Sequence, residues 1–155
     1  MSKKVLILSS SFRKGGNSDT LCDQFAMGAR DAGHAVEKIF LNDKHIGYCR
    51  GCGVCNTTHK CILKDDMAEI LNKMVEADVI VMGTPVYFYS MNGQMKTLID
   101  RTVPRYEEIS GKEFYFIVAA ADSSHANMEK TLEAFRGFTN DCLPGATEKG
   151  VIYGT

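Results

Sequence analysis

The chain has 155 residues, 45% of them hydrophobic, enough for one domain with a sizeable core. Its formal net charge of −1 gives no excess to attract nucleic acid or an anionic membrane. No apolar run approaches the roughly 18 residues that a membrane helix needs.

Met1-Ser2-Lys3-Lys4 followed by Val5-Leu6-Ile7-Leu8 superficially resembles a secretory signal. The apolar stretch is too short and no small-residue cleavage site follows, so it reads as a buried strand in a cytoplasmic protein. Further strands are expected at Val36–Leu41, Val79–Met82, Phe114–Ala120 and Val151–Tyr153. The third and fourth are almost continuously apolar, as strands covered on both faces must be.

Helical spacing fills the gaps. Leu21, Phe25 and Ala29 mark a short face after Asn17-Ser18. Met67, Ile70, Leu71, Met74 and Val75 mark a second, with Asp66 and Glu69 spaced as a capping box. Met91, Met95, Leu98, Ile99 and Val103 mark a third, stopped by Pro104, and Met128, Leu132, Phe135 and Phe138 a fourth. The order β-α-β-α-β-α-β-α-β predicts a doubly wound parallel α/β sheet of five strands in order 2-1-3-4-5. Ligands of such sheets sit outside the carboxyl ends of the strands, near the switch in strand order.

Three segments there can serve a ligand. Ser9-Ser10-Ser11-Phe12-Arg13-Lys14-Gly15-Gly16-Asn17-Ser18 follows the first strand and opens a helix. Its hydroxyls, arginine and helix N-terminus suit one terminal phosphate; it is neither a Walker loop nor a dinucleotide fingerprint. A polar turn with Asn17 or Ser18 as an ordinary helix cap is the plain alternative. Gly83-Thr84-Pro85-Val86-Tyr87-Phe88-Tyr89-Ser90-Met91 offers aromatics and a proline that can hold a flat ring. In Ala119-Ala120-Ala121-Asp122-Ser123-Ser124, small residues would let backbone approach such a ring, and a helix-capping turn explains the segment equally well.

The first two loops, with Lys96, Asp100 and Arg101 after them, resemble the NADPH-dependent FMN reductase family, in particular its iron–sulfur flavoprotein branch. The family pattern is approximately Gly-Ser-Pro-Arg-x-x-Gly-Asn-Thr/Ser in the first loop and Ser/Thr-Pro-Val-Tyr in the second. This sequence departs at Ser10 and Phe12, where Gly and Pro are usual. The resemblance implies a flavodoxin-like fold in which Ser11, Arg13, Asn17 and Ser18 bind the FMN phosphate. It also implies that Pro85, Val86, Tyr87, Phe88 and Ser90 line the isoalloxazine, to which Ala121 and Asp122 of the third segment are added. NAD(P)H or a ferredoxin-like protein would donate electrons and a small molecule would accept them. An electron carrier without enzymatic turnover is the alternative, although such carriers are often strongly acidic.

Four of six cysteines crowd into the loop at 47–64, as Cys49, Cys52, Cys55 and Cys61 in a C-x2-C-x2-C-x5-C pattern. Clustering favours a metal or redox centre over a disulfide framework. Four thiolates in one loop can grip a [4Fe–4S] cluster, with Gly51 and Gly53 permitting tight turns and N–H···S contacts. Zinc ordinarily uses two separated knuckles; zinc, giving a zinc-stabilised binding module, and plain thiols stay open as alternatives. Cys22 and Cys142 read as small buried hydrophobes.

The fifth strand is followed only by Gly154-Thr155, so one domain spanning 1–155 is expected, lacking a C-terminal helix beside the first. Each apolar side chain left wet forgoes about 1.5–3 kcal/mol. Such patches mark interfaces, hence the expectation of a homodimer or homotetramer, or else of a native C-terminal segment that is absent.

Overall fold

The computed structural model describes residues Met1–Thr155 throughout. The chain runs β1 (Lys4–Ser9), α1 (Asn17–Asp31), β2 (Ala35–Phe40), a one-turn α2 (Cys55–Thr58), α3 (Met67–Glu76), β3 (Val79–Tyr87), β4 (Ser90–Met91), α4 (Gly93–Asp100), β5 (Glu113–Ala119), α5 (His125–Cys142) and β6 (Thr147–Gly154). Five strands form a parallel sheet in order β2-β1-β3-β5-β6, and β4 pairs back on the end of β3. With the β4 stub set aside, this is the 2-1-3-4-5 order of a flavodoxin-like fold. Registers such as Val5↔Val79 and Ile80↔Phe114 place the apolar centres of the strands side by side.

Alternation along each strand divides the core in two. Leu6, Leu8, Ile80, Met82, Phe114, Phe116 and Val118 face α3, α4 and α5, forming with them a cluster of 23 buried residues. Phe116 stacks on Phe135 with ring centroids 4.8 Å apart. The other face has only seven, in which Val5, Ile7, Val79, Val81 and Ile117 meet Cys22 and Ala26 of α1. On this thinner side Tyr115 and Ile152 stay half-buried.

Helix α1 corrects the sequence reading most. It is 15 residues long, longer than α3 or α4, and its fully buried positions are Ser18, Asp19, Cys22 and Ala26. Leu21, Phe25 and Ala29 flank that row, half-buried. The reason is close approach: a Cβ on Gly83 would lie 2.3 Å from the Cys22 sulfur, so only small residues fit on the contacting row. A search for large apolar side chains therefore finds the neighbouring row.

Three other expectations need revision. The α4 helix ends at Asp100, before Pro104; Met91 belongs to β4, and Val103 is exposed. No capping box forms at α3, because the Asp66 carboxylate accepts the His45 N–H at 2.6 Å and Glu69 pairs with Lys73. Cys142, at the end of α5, is exposed, whereas Cys22 is fully buried, and burial pushes its thiol up to about 12.

Candidate functional site

Parallel strands deliver all their following loops to one edge of the sheet, so the segments after β1, β2, β3 and β5 share that edge. The segment after β1 is welded to the end of β3 and the start of α4 by hydrogen bonds that two polar side chains provide. Ser10 donates through both its N–H and its hydroxyl to the Gly83 carbonyl, at 2.9 and 3.0 Å. Ser10, a departure from the usual glycine, thus adds a bond at the strand end. Asn92, 2% exposed, donates through its side chain to the Ser10 carbonyl at 2.6 Å and accepts the Met95 N–H at 3.2 Å as N-cap of α4. Its own N–H donates to the buried Thr84 hydroxyl at 3.1 Å.

In the first loop, Gly16 is the N-cap of α1, so neither Asn17 nor Ser18 caps it. The first amide that bonds back into the helix is that of Thr20, to the Gly16 carbonyl at 2.8 Å. The N–H groups of Asn17, Ser18 and Asp19 have no partner of their own, a set of donors at the positive end of the helix dipole. Arg13 is exposed, and its guanidinium makes no hydrogen bond within the protein. Asn17 is exposed on the rim and Ser18 is buried behind it. Ser11 is already engaged: its hydroxyl accepts the Arg13 N–H at 3.2 Å and donates to the Arg13 carbonyl at 2.8 Å. It shapes the loop.

Sequence reasoning missed Asp19, which sits 1% exposed beneath this loop. Its carboxylate accepts the Ser9 hydroxyl at 2.7 Å and the Gly15 N–H at 2.9 Å, and pairs with Lys38 of β2 at 2.6 Å. Burial raises its pKa, yet Lys38, the Gly15 N–H and Ser9 together hold it below the ordinary value. The available signal was an acid in the first turn of α1.

The second segment is mostly strand. Pro85 and Val86 extend β3, and Val86 packs against the large core cluster. Tyr87 pairs with Ser90 around a two-residue turn in which Phe88 and Tyr89 have φ of 48° and 63°. Two consecutive left-handed residues are what a type I′ hairpin turn requires, but that turn favours Asn-Gly. Phe88 is wholly exposed there, and Tyr89 lies under the Lys130 ammonium, 5.1 Å from its ring centroid. Strain of this kind gathers at ligand clamps.

The third segment lies beyond β5. Ala121 and Asp122 are both exposed. Asp122 accepts the Ser124 N–H at 2.8 Å and a bond from the Asn127 side chain, which holds its carboxylate below the ordinary value. It holds a turn ahead of α5, whose N-cap Ser124 makes no side-chain capping bond. Beside it, His125 stacks on Tyr153 with centroids 3.9 Å apart.

The cysteine loop wraps its four thiols around one cavity of about 210 Å³, lined by Cys49, Cys52, Cys55 and Cys61 with Ile62, Leu63 and Val103. Gly51 and Gly53 take φ of 63° and 72°, the left-handed turns the loop needs. Gly51 N–H meets the Cys49 sulfur and Leu63 N–H the Cys61 sulfur, each at 3.5 Å. None of the six cysteines is in a disulfide. No three Cys, His, Asp or Glu side chains converge at single-ion spacing.

The family model for NADPH-dependent FMN reductase matches residues 3–139. The chain belongs to this family. It is 39% identical over 102 residues to an iron–sulfur flavoprotein of Archaeoglobus fulgidus, covering 66% of this chain and 46% of that protein. It is 36% identical over 136 residues to an iron–sulfur flavoprotein of Methanocaldococcus jannaschii, covering 87% of this chain and 70% of that protein. This chain therefore spans about half of one curated relative and somewhat more of the other. An azoreductase from Bacillus anthracis shares the fold, with a TM-score of 0.76 over 99% of this chain and 88% of that one, at 19% identity. No helix is long and apolar enough to cross a membrane.

Proposed function

We propose that this NADPH-dependent FMN reductase family member is an FMN-dependent oxidoreductase in which a [4Fe–4S] cluster on the cysteine loop exchanges electrons with the flavin. NAD(P)H or a ferredoxin-like protein donates, and a small molecule accepts. The observation that carries this reading is a cavity lined by four cysteines in a chain whose α1 keeps its N-terminal amides unpaired.

Bound FMN would supply two-electron acceptance and one-electron release, chemistry that asks no acid, base or nucleophile of the side chains. The protein's part is to bind and orient. Arg13 and the amides of Asn17, Ser18 and Asp19 hold the phosphate, while Ser11 and Asp19 fix the loop that presents them. Pro85, Val86, Tyr87, Phe88 and Ser90, with Ala121 and Asp122, would line the ring. Cys49, Cys52, Cys55 and Cys61 hold the cluster, and the Gly51 and Leu63 amides donate to its sulfurs.

We further propose that copies of this chain associate beside the site. Phe12, Tyr48, Tyr87, Phe88 and Tyr89 are exposed large apolar side chains, of the kind that interfaces cover. Light scattering at micromolar concentration tests this; a 17.1 kDa species alone rejects it.

The central reading is tested by protein purified without oxygen. Stoichiometric FMN, about four irons and four sulfides, and turnover of NADPH or NADH with a quinone are expected. Stoichiometric zinc, or four titratable thiols with no metal, rejects the cluster; FMN and iron without nicotinamide turnover favours an electron carrier.

A further inference from the structure

We propose that Arg101 is a positioning residue for the cysteine-loop cluster: it ties the two ends of that loop together and raises the cluster's reduction potential as a fixed buried cation with a donor left unpartnered. This rests on the cluster reading above.

Arg101 follows the last residue of α4 and is 2% exposed. One guanidinium nitrogen, Nη1, donates to the Gly47 carbonyl at 2.7 Å and to Asp65 Oδ2 at 2.8 Å. The other, Nη2, donates to Asp65 Oδ1 at 3.0 Å. Asp65 in turn accepts the N–H of Gly47 at 2.9 Å and of Met67 at 3.1 Å. Gly47 stands just before the first cysteine and Asp65 just after the last, so a single side chain closes the base of the loop. The bidentate pair fixes the guanidinium plane, a role that lysine, as a point charge, fills poorly.

Two of its five N–H groups are left over, the second on Nη2 and the one on Nε. The Arg101 Nε–H is buried with no hydrogen-bond partner, although Asp65 has every partner it can use. Buried donors without an acceptor are costly, and one in a native fold calls for an explanation. After Asp65, Cys61 is the next group to raise the Arg101 pKa, although no hydrogen bond joins the two. Its sulfur already takes the Leu63 N–H. A metal-bound thiolate at Cys61 would supply the missing acceptor.

The consequence is electrostatic. One-electron reduction, with the electron drawn from the flavin or its donor and no proton taken up, adds one negative charge at the cavity. Hydrogen bonds to ligand sulfur and a fixed cation nearby stabilise that charge, so the potential rises. Asp65 offsets the cation, because its carboxylate is bound to the same guanidinium.

The test uses the full chain loaded anaerobically with iron and sulfide, and reads midpoint potentials by titration monitored with electron paramagnetic resonance. Iron and sulfide in the wild-type protein are assayed first; their absence overturns the cluster reading itself and is seen separately. Arg101→Gln is expected to lower the midpoint by the equivalent of at least tenfold in the reduced-to-oxidised ratio, about 59 mV for one electron. Arg101→Lys should recover part of that shift, and Asp65→Asn should raise the midpoint above wild type. Lower cluster content at an unchanged potential would show a merely structural residue and overturn the proposal. Where Arg101→Gln fails to fold or load, Asp65→Asn decides: a raised midpoint supports the proposal, and an unchanged or lowered one overturns it.

Discussion

The side-chain amide of Asn92 donates to the Ser10 carbonyl at 2.6 Å, joining the loop after β1 to the start of α4 across the end of β3. The same residue caps α4 through Met95 and bonds Thr84. Truncating it leaves several buried groups unpaired, so Asn92→Ala should destabilise the fold by about 1–3 kcal/mol. Urea unfolding checks this. A loss below about 0.5 kcal/mol, the scale of an ordinary surface substitution, would show that the weld is not needed.

The phosphate assignment makes a sharper prediction. Arg13→Ala should weaken FMN binding to apoprotein by about 1.5–3 kcal/mol, the scale of a charged hydrogen bond, and leave riboflavin affinity unchanged. Quenching of flavin fluorescence reads both. Equal losses for the two flavins would place Arg13 away from the phosphate.

At the hairpin tip, Phe88 and Tyr89 hold left-handed conformations that each cost about 1–3 kcal/mol. Replacing the pair with Asn-Gly, which suits this turn, should raise thermal stability while weakening flavin binding. A double variant that binds FMN as tightly as wild type would remove these aromatics from the ring wall.

Packing between α1 and β3 depends on the absence of a side chain at Gly83. Gly83→Ala should destabilise by at least about 1–3 kcal/mol through overpacking against Cys22. Because the clash involves the Cys22 sulfur, Cys22→Ala should relieve part of it. Independent, additive effects in the double-mutant cycle would refute the contact.

Acid stability should report the Asp65–Arg101 pair. The Arg101 guanidinium, with the Gly47 and Met67 N–H groups, holds the Asp65 carboxyl down at about 2 against an ordinary 3.8. Protonation therefore favours the unfolded chain: the pair's contribution is complete above about pH 4 and is lost as pH falls through 2. In metal-free protein, Asp65→Asn should flatten the stability profile between those values. An unchanged profile would assign the acid sensitivity to other carboxylates.

Periodicity alone determined the number of parallel strands and their order. Alternating apolar runs and right-handed crossovers leave few other arrangements, and glycine, arginine and cysteine at fixed spacings carry their chemistry locally. Tertiary structure decided what depends on distant partners. The buried row of α1 is small because of Gly83, a steric fact about a strand far along the chain. Asp66 reads as an ordinary helix-start residue yet bonds His45, and the partners of Asp19 and Asp65, Lys38 and Arg101, lie far along the chain. The strained Phe88–Tyr89 turn was hidden as well, since neither residue favours it and only the pairing of Tyr87 with Ser90 enforces it. Local propensity is written in neighbouring residues, whereas the pairing of buried charge and the exclusion of volume exist only once the chain has closed on itself.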